Sequence, residues 1–170
     1  LRGRIPNWME ELEADVIDFW EFTTPNIEIL LNYSTIIVAS DASWEDPSSL
    51  GDVLGEYVDL GGSIILLGAT FHQGPWALDG LIQSPEYNPL IKTEYSCCED
   101  FQFVNEFTDH NINNEVYELG TNLWAYTEVQ GEGISLGTFG NGIDFGAYNP
   151  NKLIVALNIY PKENNYEGDF

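Results

Sequence analysis

The hydrophobic pattern is clearest between Thr35 and His72, where two unbroken apolar runs flank a helical repeat. Thr35–Ser40 and Ser63–Gly68 are rich in β-branched and aliphatic residues without polar alternation, which is typical of strands buried on both faces. Between the runs, apolar residues recur at helical spacing, and Gly61-Gly62 predicts the helix end. These helical positions are Leu50, Val53, Leu54, Tyr57, Val58 and Leu60. A β-α-β unit of this length predicts parallel strands joined by a right-handed crossover.

The residues before this unit predict a helix, a strand and a helical turn, at Pro6–Ala14, Asp15–Phe22 and Asn26–Asn32. A doubly wound sheet normally begins with a strand before its first helix, and that strand is missing here. We therefore expect that the chain was cut after it or that another chain supplies it, since an uncovered strand edge is a liability.

The second half of the chain is predicted to be mainly β-structure after an irregular loop. Gly140-Asn141-Gly142 separates two apolar runs, and Asn-Gly favours a tight hairpin. The predicted elements are a loop at Gln73–Pro89 with a helical turn near Ala77–Ile82, one or two short strands in Ile91–Val104, short strands at Glu115–Leu119 and Leu123–Thr127, the hairpin from Gly133, and a central strand at Leu153–Tyr160.

Length and charge limit the class of protein. The 170 residues suffice for one domain, 1–170, and the 44% hydrophobic content indicates a folded chain. No apolar run reaches the length of a membrane span. The formal net charge of −23 opposes binding to nucleic acid. The same acidity leaves calcium as the one cofactor alternative, although the carboxylates are scattered and match no known calcium loop.

Three local features say little about function. Cys97 and Cys98 are adjacent, which disfavours both a mutual disulfide and a zinc framework, so two free thiols are expected. Asn32-Tyr-Ser34 matches a glycosylation sequon by pattern only. The chain begins at Leu1 and lacks a signal-peptide pattern, which predicts a fragment of a longer precursor.

One combination of motifs resembles a known family. A strand ending in Ser40-Asp41, an acidic loop with Trp44, the run LGDVLGEYVDLGGSIILL, Asn88-Pro89-Leu90 and a closing VALNIYP resemble class I glutamine amidotransferase-like domains of secreted multidomain proteins. The resemblance implies a flavodoxin-like, amidotransferase-like α/β fold: a three-layer sandwich with a parallel core sheet extended by antiparallel C-terminal hairpins. It also implies a secreted or cell-surface protein.

The catalytic residues of that family are absent. Its enzymes carry a nucleophilic cysteine on a Gly-x-Cys-x-Gly turn after the central strand and a distant His-x-Glu pair. Here the matching segment is Gly68-Ala69-Thr70-Phe71-His72, and the only histidines are His72 and His110. Glutamine hydrolysis by that mechanism is therefore not expected.

The ends of the two predicted parallel strands hold the candidate site. Ligands of open α/β sheets bind at the carboxyl ends of strands, which would bring Asp41 together with Thr70 and His72. Asp41 could orient His72, and Thr70 could serve as a nucleophile if His72 reached it. The competing interpretation is structural, with Asp41 capping the helix and Thr70 bonding to backbone.

Other candidate sites involve aromatic residues, the cysteines and His110. Exposed aromatics beside carboxylates could bind carbohydrate, and Trp44 and Trp76 are the leading candidates. The further members of this aromatic set are Trp124, Tyr87, Tyr95 and Tyr126. A thiol–histidine pair is disfavoured because nearby carboxylates would raise the thiol pKa. Asp109-His110-Asn111 could ligate a metal with a remote carboxylate.

The preferred function is a non-catalytic interaction or assembly domain of a secreted or cell-surface multidomain protein. Its expected partners are a protein, neighbouring domains or further copies of the same chain. The alternatives are a hydrolase-like enzyme using Asp41, Thr70 and His72, and an acidic module that binds calcium or carbohydrate.

Overall fold

The computed structural model describes residues 15, 24–40, 43–72, 74–94, 100–122, 124–159 and 166–168. Two α-helices lie in this part of the chain, α1 (Ile27–Leu30) and α2 (Pro47–Asp59). The strands are β1 (Thr35–Val38), β2 (Ser63–Leu67), β3 (Leu90–Glu94), β4 (Gln102–Phe107), β5 (Leu119–Thr121), β6 (Tyr126–Val129), β7 (Ile134–Phe139), β8 (Asp144–Asn149), β9 (Ile154–Leu157) and β10 (Tyr166–Gly168). Short 3₁₀ turns occupy Gly68–Phe71, Leu81–Gln83 and Asn111–Asn113.

The main sheet contains eight of the described strands, in the order β1-β2-β9-β8-β7-β4-β5-β10. The three strands β1, β2 and β9 are parallel, and every following pair is antiparallel. The molecule is therefore a mixed α/β protein whose parallel strands continue into antiparallel hairpins, as the sequence predicts.

The remaining two strands, β3 and β6, form a separate antiparallel ribbon. The ribbon contacts β8, and β3 also contacts the 3₁₀ turn that follows β2. Its strands are far apart in sequence, with Leu90 opposite Val129. This ribbon places side chains over the carboxyl ends of the parallel strands.

Local chemistry explains the bounds of α2. The Asp46 side chain caps its first turn by accepting a hydrogen bond from the Ser49 amide (2.9 Å), and Pro47 occupies the first helical position, where it needs no amide partner. Gly61 follows the helix with φ of +96°, a conformation that glycine adopts without steric cost. The helix buries one face against the sheet and the loop before β3.

The buried apolar side chains of the described residues form two hydrophobic cores. The larger one joins α2 to β1, β2 and β9, and its largest fully buried side chain is Tyr57. The Tyr57 hydroxyl donates to the Tyr33 carbonyl oxygen (2.9 Å), so its polar end is satisfied. The smaller core surrounds Trp124 and Phe139 among the antiparallel strands.

Several predicted bounds need correction. The first parallel strand ends at Val38 rather than Ser40, and the last spans Ile154–Leu157 rather than reaching Tyr160. The strand predicted at Glu115–Leu119 begins only at Leu119, as β5. Glu115 has φ of +67° and belongs to a turn. The predicted strand Leu123–Thr127 lies slightly later, as β6.

The amino-terminal predictions lie almost wholly outside the described residues, which include only Asp15 of the predicted Asp15–Phe22 strand. Within the described part of the chain, β1 is at one end of the sheet order, and no described strand pairs with its outer side. The two α-helices found there are fewer than a three-layer sandwich requires. The described structure therefore supports the mixed α/β class without establishing the third layer.

Candidate functional site

A buried polar cluster lies at the carboxyl ends of β2 and β9, beneath the β3–β6 ribbon. We define it as His72, Lys92, Thr127 and Asn158. His72 follows the 3₁₀ turn after β2, and Asn158 directly follows β9. Lys92 and Thr127 are opposite each other on the ribbon, on the face that is buried. The ends of neighbouring parallel strands are where α/β folds place their ligands.

His72 is the electrostatically unusual member of the cluster. Its Nε2 atom is buried and has no hydrogen-bond partner, and its ring meets Phe71 edge-on with 5.3 Å between centroids. Burial and then the Lys92 ammonium lower the pKa of His72 to about 4, against a smaller opposing effect of the Asn158 side chain. The imidazole is therefore neutral at physiological pH.

Lys92 is a charged residue on the inward face of a strand. It is 7% exposed, and burial lowers its pKa from the usual value. Desolvation disfavours the charged form of a lysine, whereas surrounding polar groups favour it. The Lys92 ammonium thus lies near a neutral imidazole on the buried face of the ribbon.

Asn158 holds the end of β9 to the chain entering β6. Its side chain accepts from the Ala125 amide (2.9 Å) and donates to the Ala125 carbonyl (2.7 Å) and to Thr127 Oγ1 (3.0 Å). The Thr127 hydroxyl donates in turn to the Asp144 carbonyl at the start of β8 (2.7 Å). These hydrogen bonds fasten the ribbon to the main sheet.

Thr70, the proposed nucleophile, is fully buried and donates its hydroxyl to the Leu67 carbonyl oxygen (2.9 Å). Its own carbonyl accepts from the Leu78 amide (2.7 Å) and from Gln83 Nε2 (2.8 Å). This is the backbone-bonding role that the structural interpretation predicts. Asp41 lies outside the described residues, so its relation to His72 is not part of the described site.

The two leading aromatic candidates do come together. Trp44 Nε1 donates to the Trp76 carbonyl (2.7 Å), and the Trp44 amide donates to the Pro75 carbonyl (3.1 Å), which joins the loops after β1 and β2. Trp44 packs against the larger core, whereas Trp76 is 42% exposed. The contact is therefore mainly a structural link between loops.

The other described aromatics of the set do not extend this surface. Trp124 is buried and donates Nε1 to the Asp100 carbonyl (3.0 Å), and Tyr87 is buried with its hydroxyl donating to Asp59 (2.7 Å). Tyr126 packs partly buried against Trp124. Tyr95 lies outside the described residues, as do Cys97 and Cys98.

The geometry around His110 does not resemble a metal centre. Its Nδ1 accepts a hydrogen bond from the Ile112 amide (3.1 Å), and its ring packs on Tyr148 with 4.2 Å between centroids. Among the described residues, no three His, Cys, Asp or Glu side chains come close enough to hold a metal ion. None of the helices in the described residues has the length and hydrophobicity of a membrane span.

Sequence reasoning placed His72 in this region and missed Lys92 and Asn158. Asn158 had a usable signal, because a polar residue that ends an apolar parallel strand obeys the same strand-end rule as Thr70. Lys92 had a weaker signal. It lies two residues after the apolar Leu90 and therefore shares the inward face of the strand.

Comparison of the whole structure with solved structures identifies the fold. The mmIFT52 N-terminal domain matches with a TM-score of 0.60 at 13% identity, covering 89% of this chain and 77% of that one. Cytoplasmic Protein STM1381 from Salmonella typhimurium LT2 matches with a TM-score of 0.56 at 13% identity, covering 80% of this chain and 64% of that one. These likenesses support a glutamine amidotransferase-like α/β fold.

Sequence comparison adds no family to this structural likeness. No protein-family model matches the chain, and no curated protein sequence matches it. At 13% identity, the likeness to the two solved structures concerns the fold and carries no activity with it.

Proposed function

We propose that this chain is a non-catalytic interaction domain of a multidomain protein, built on an amidotransferase-like scaffold with the three-layer arrangement of that family. The observation that carries the proposal is the bonding of Thr70 where those enzymes keep their nucleophile. The Thr70 hydroxyl is buried and bonded to the Leu67 carbonyl instead of being directed at an activating base.

The environment of His72 supports the same function. A general base acts best with a pKa near the working pH and within reach of the proton that it removes. The pKa of His72 is lowered to about 4, and its buried Nε2 atom bonds to no hydroxyl. An imidazole in this state is a poor base at neutral pH, and the ribbon bonds of Asn158 give the region a structural role.

The surface and the structural neighbours favour binding. With a net charge of −23 the surface attracts cationic partners and repels nucleic acid. One structural neighbour, the mmIFT52 N-terminal domain, is part of a longer protein. We also propose secretion or cell-surface display. It predicts a glycan on Asn32, which is exposed on the turn after α1, and enzymatic deglycosylation of the native protein would reveal it as a loss of mass.

Covalent labelling tests the absence of catalysis. The chain is incubated with a fluorophosphonate and with a β-lactone, which react with activated Ser and Thr hydroxyls, and its intact mass is then measured. We expect no adduct on Thr70 of the folded protein, because its hydroxyl is fully buried and already donates to the Leu67 carbonyl. An adduct on Thr70 that persists in Thr70→Ser and disappears in Thr70→Val and in His72→Gln would refute the proposal.

A further inference from the structure

Three exposed leucines lie at the end of the parallel sheet opposite the polar cluster. Leu31 caps α1, Leu60 caps α2 and Leu153 immediately precedes β9, and they are 49%, 58% and 58% exposed. The Ile64 amide at the start of β2 donates to the Leu153 carbonyl (3.1 Å). Because neighbouring strands are about 5 Å apart, these residues belong to one rim, here called the leucine rim.

The backbone of Leu153 points to a role beyond folding. Its φ of +52° is in the left-handed region, which is unfavourable for a leucine and suits Gly or Asn. The turn between β8 and β9 thus holds a strained residue whose apolar side chain is also exposed to water. An isolated chain would be more stable with Gly or Asn there, and such local strain is often associated with function.

The charges near the leucine rim specify the kind of partner. Glu28 and Glu56 are exposed on α1 and α2, and Lys152 beside Leu153 is paired with two carboxylates, those of Asp59 (2.7 Å) and Glu86 (3.3 Å). Among the described residues, carboxylates therefore outnumber ammonium groups around the exposed leucines. A second copy would bring the same excess of negative charge, whereas a cationic segment would be attracted.

We propose that the leucine rim binds a protein segment whose apolar side chains are flanked by Lys or Arg. This inference rests on the proposed interaction function and names its partner class and its surface. The leucines supply apolar area that becomes buried on binding, and the carboxylates guide the cationic segment to it. Leu153 is the anchor, since its conformation already projects it from the turn.

A synthetic amphipathic peptide of Leu and Lys serves as the probe, and its analogue with Glu in place of Lys serves as the charge control. Binding to the 170-residue chain is measured by fluorescence anisotropy and mapped by NMR amide shifts. We expect shifts concentrated around Leu31, Leu60 and Leu153 and much weaker binding of the Glu analogue. Leu60→Ser and Leu153→Asn should each weaken binding about tenfold.

The matched control is Ile134→Ser, which removes an apolar side chain of similar exposure (43%) on the antiparallel strand β7 and should leave binding unchanged. Leu153→Asn should also raise the urea midpoint while it weakens binding, a pairing that a purely structural residue would not show. Equal binding of both peptides, a shift map elsewhere, or unaltered binding by the two leucine variants would overturn the proposal.

Sedimentation velocity tests the alternative that a second copy of the chain occupies the leucine rim. A dimer that forms with rising protein concentration and is lost in Leu60→Ser would assign the rim to a second copy and overturn the cationic partner. Failure at this surface would leave the labelling result on Thr70 unaffected, so the two proposals can fail independently.

Discussion

Replacing Gly51 with alanine gives the sharpest test of how α2 packs. A β-carbon at this position would lie 1.7 Å from the Asp79 carbonyl oxygen and 3.0 Å from the Ile82 side chain. An ordinary contact would need about twice the first distance, and the obstructing atom is backbone, which cannot rotate away. The loop before β3 would therefore have to move away from the helix.

Two opposing effects set the size of the change. Alanine in a helix interior is favoured over glycine by about 1 kcal/mol, so helix propensity alone predicts stabilisation. Overpacking costs about 1–3 kcal/mol, and displacing the loop strains its bonds, among them Asp79 N–H to the Pro47 carbonyl (3.2 Å) and Leu81 N–H to the Asp52 carboxylate (2.7 Å). Loss of one of these bonds adds about 1 kcal/mol, which together with overpacking in the middle of its range gives a net destabilisation of about 2 kcal/mol.

Urea unfolding measures this difference directly. With an m-value of about 2 kcal/mol/M, the midpoint of Gly51→Ala should fall by about 1 M. Gly55→Ala should have a smaller effect, because its β-carbon meets only the movable side chain of Leu81, at 2.7 Å. A midpoint for Gly51→Ala equal to or above that of the parent chain would refute the close approach of loop and helix.

Three further changes test the polar cluster and the turn beside the leucine rim. Stability should decline as pH falls from about 6.5 to about 4, by up to about 3 kcal/mol, because the unfolded chain binds a proton on His72 before the folded chain does; His72→Gln should remove this part of the pH dependence of the urea midpoint. Asn158→Ala should cost about 3 kcal/mol and speed amide exchange of Ala125 selectively, and an effect confined to β9 would count against its role in holding the ribbon. Lys152→Met should lower the melting temperature and make it less sensitive to salt, since Lys152 bonds to Asp59 and lies 4.3 Å from the Tyr87 ring centroid; an unchanged salt response would show that the pair contributes nothing.

The parallel part of the fold was predictable because its signals are local. Unbroken apolar runs, a helical repeat and a glycine break define β1, α2 and β2 within a single stretch of sequence. The Gly140–Gly142 segment was predicted as a hairpin turn for the same reason, and Gly142 indeed supplies the positive φ. The exposure of Leu60 was not predictable. Leu60 continues the helical spacing of apolar residues, but it lies just after the end of α2 and is exposed to solvent.

The pairing of β3 with β6 had no local signal. The two strands are separated by β4 and β5, which join the main sheet instead, so nothing in either segment identifies its partner. The rule that ligands bind at the carboxyl ends of strands therefore predicted the place of His72 but not the β3–β6 ribbon beside it. Lys92 and Thr127 reach the cluster only through this long-range pairing.

The β3–β6 ribbon decides whether Thr70 and His72 could act together as nucleophile and base. In an open cleft, Thr70 could act as a nucleophile with His72 as its base, which is the chemistry that the strand ends suggest. Here the ribbon brings a lysine ammonium to the imidazole, and burial with that charge lowers the pKa of His72 to about 4. The Asn158 bonds hold the ribbon in place. We therefore predict that Thr70→Cys does not hydrolyse glutamine, because the His72 imidazole is neutral at physiological pH and a weak base, and its Nε2 atom is buried.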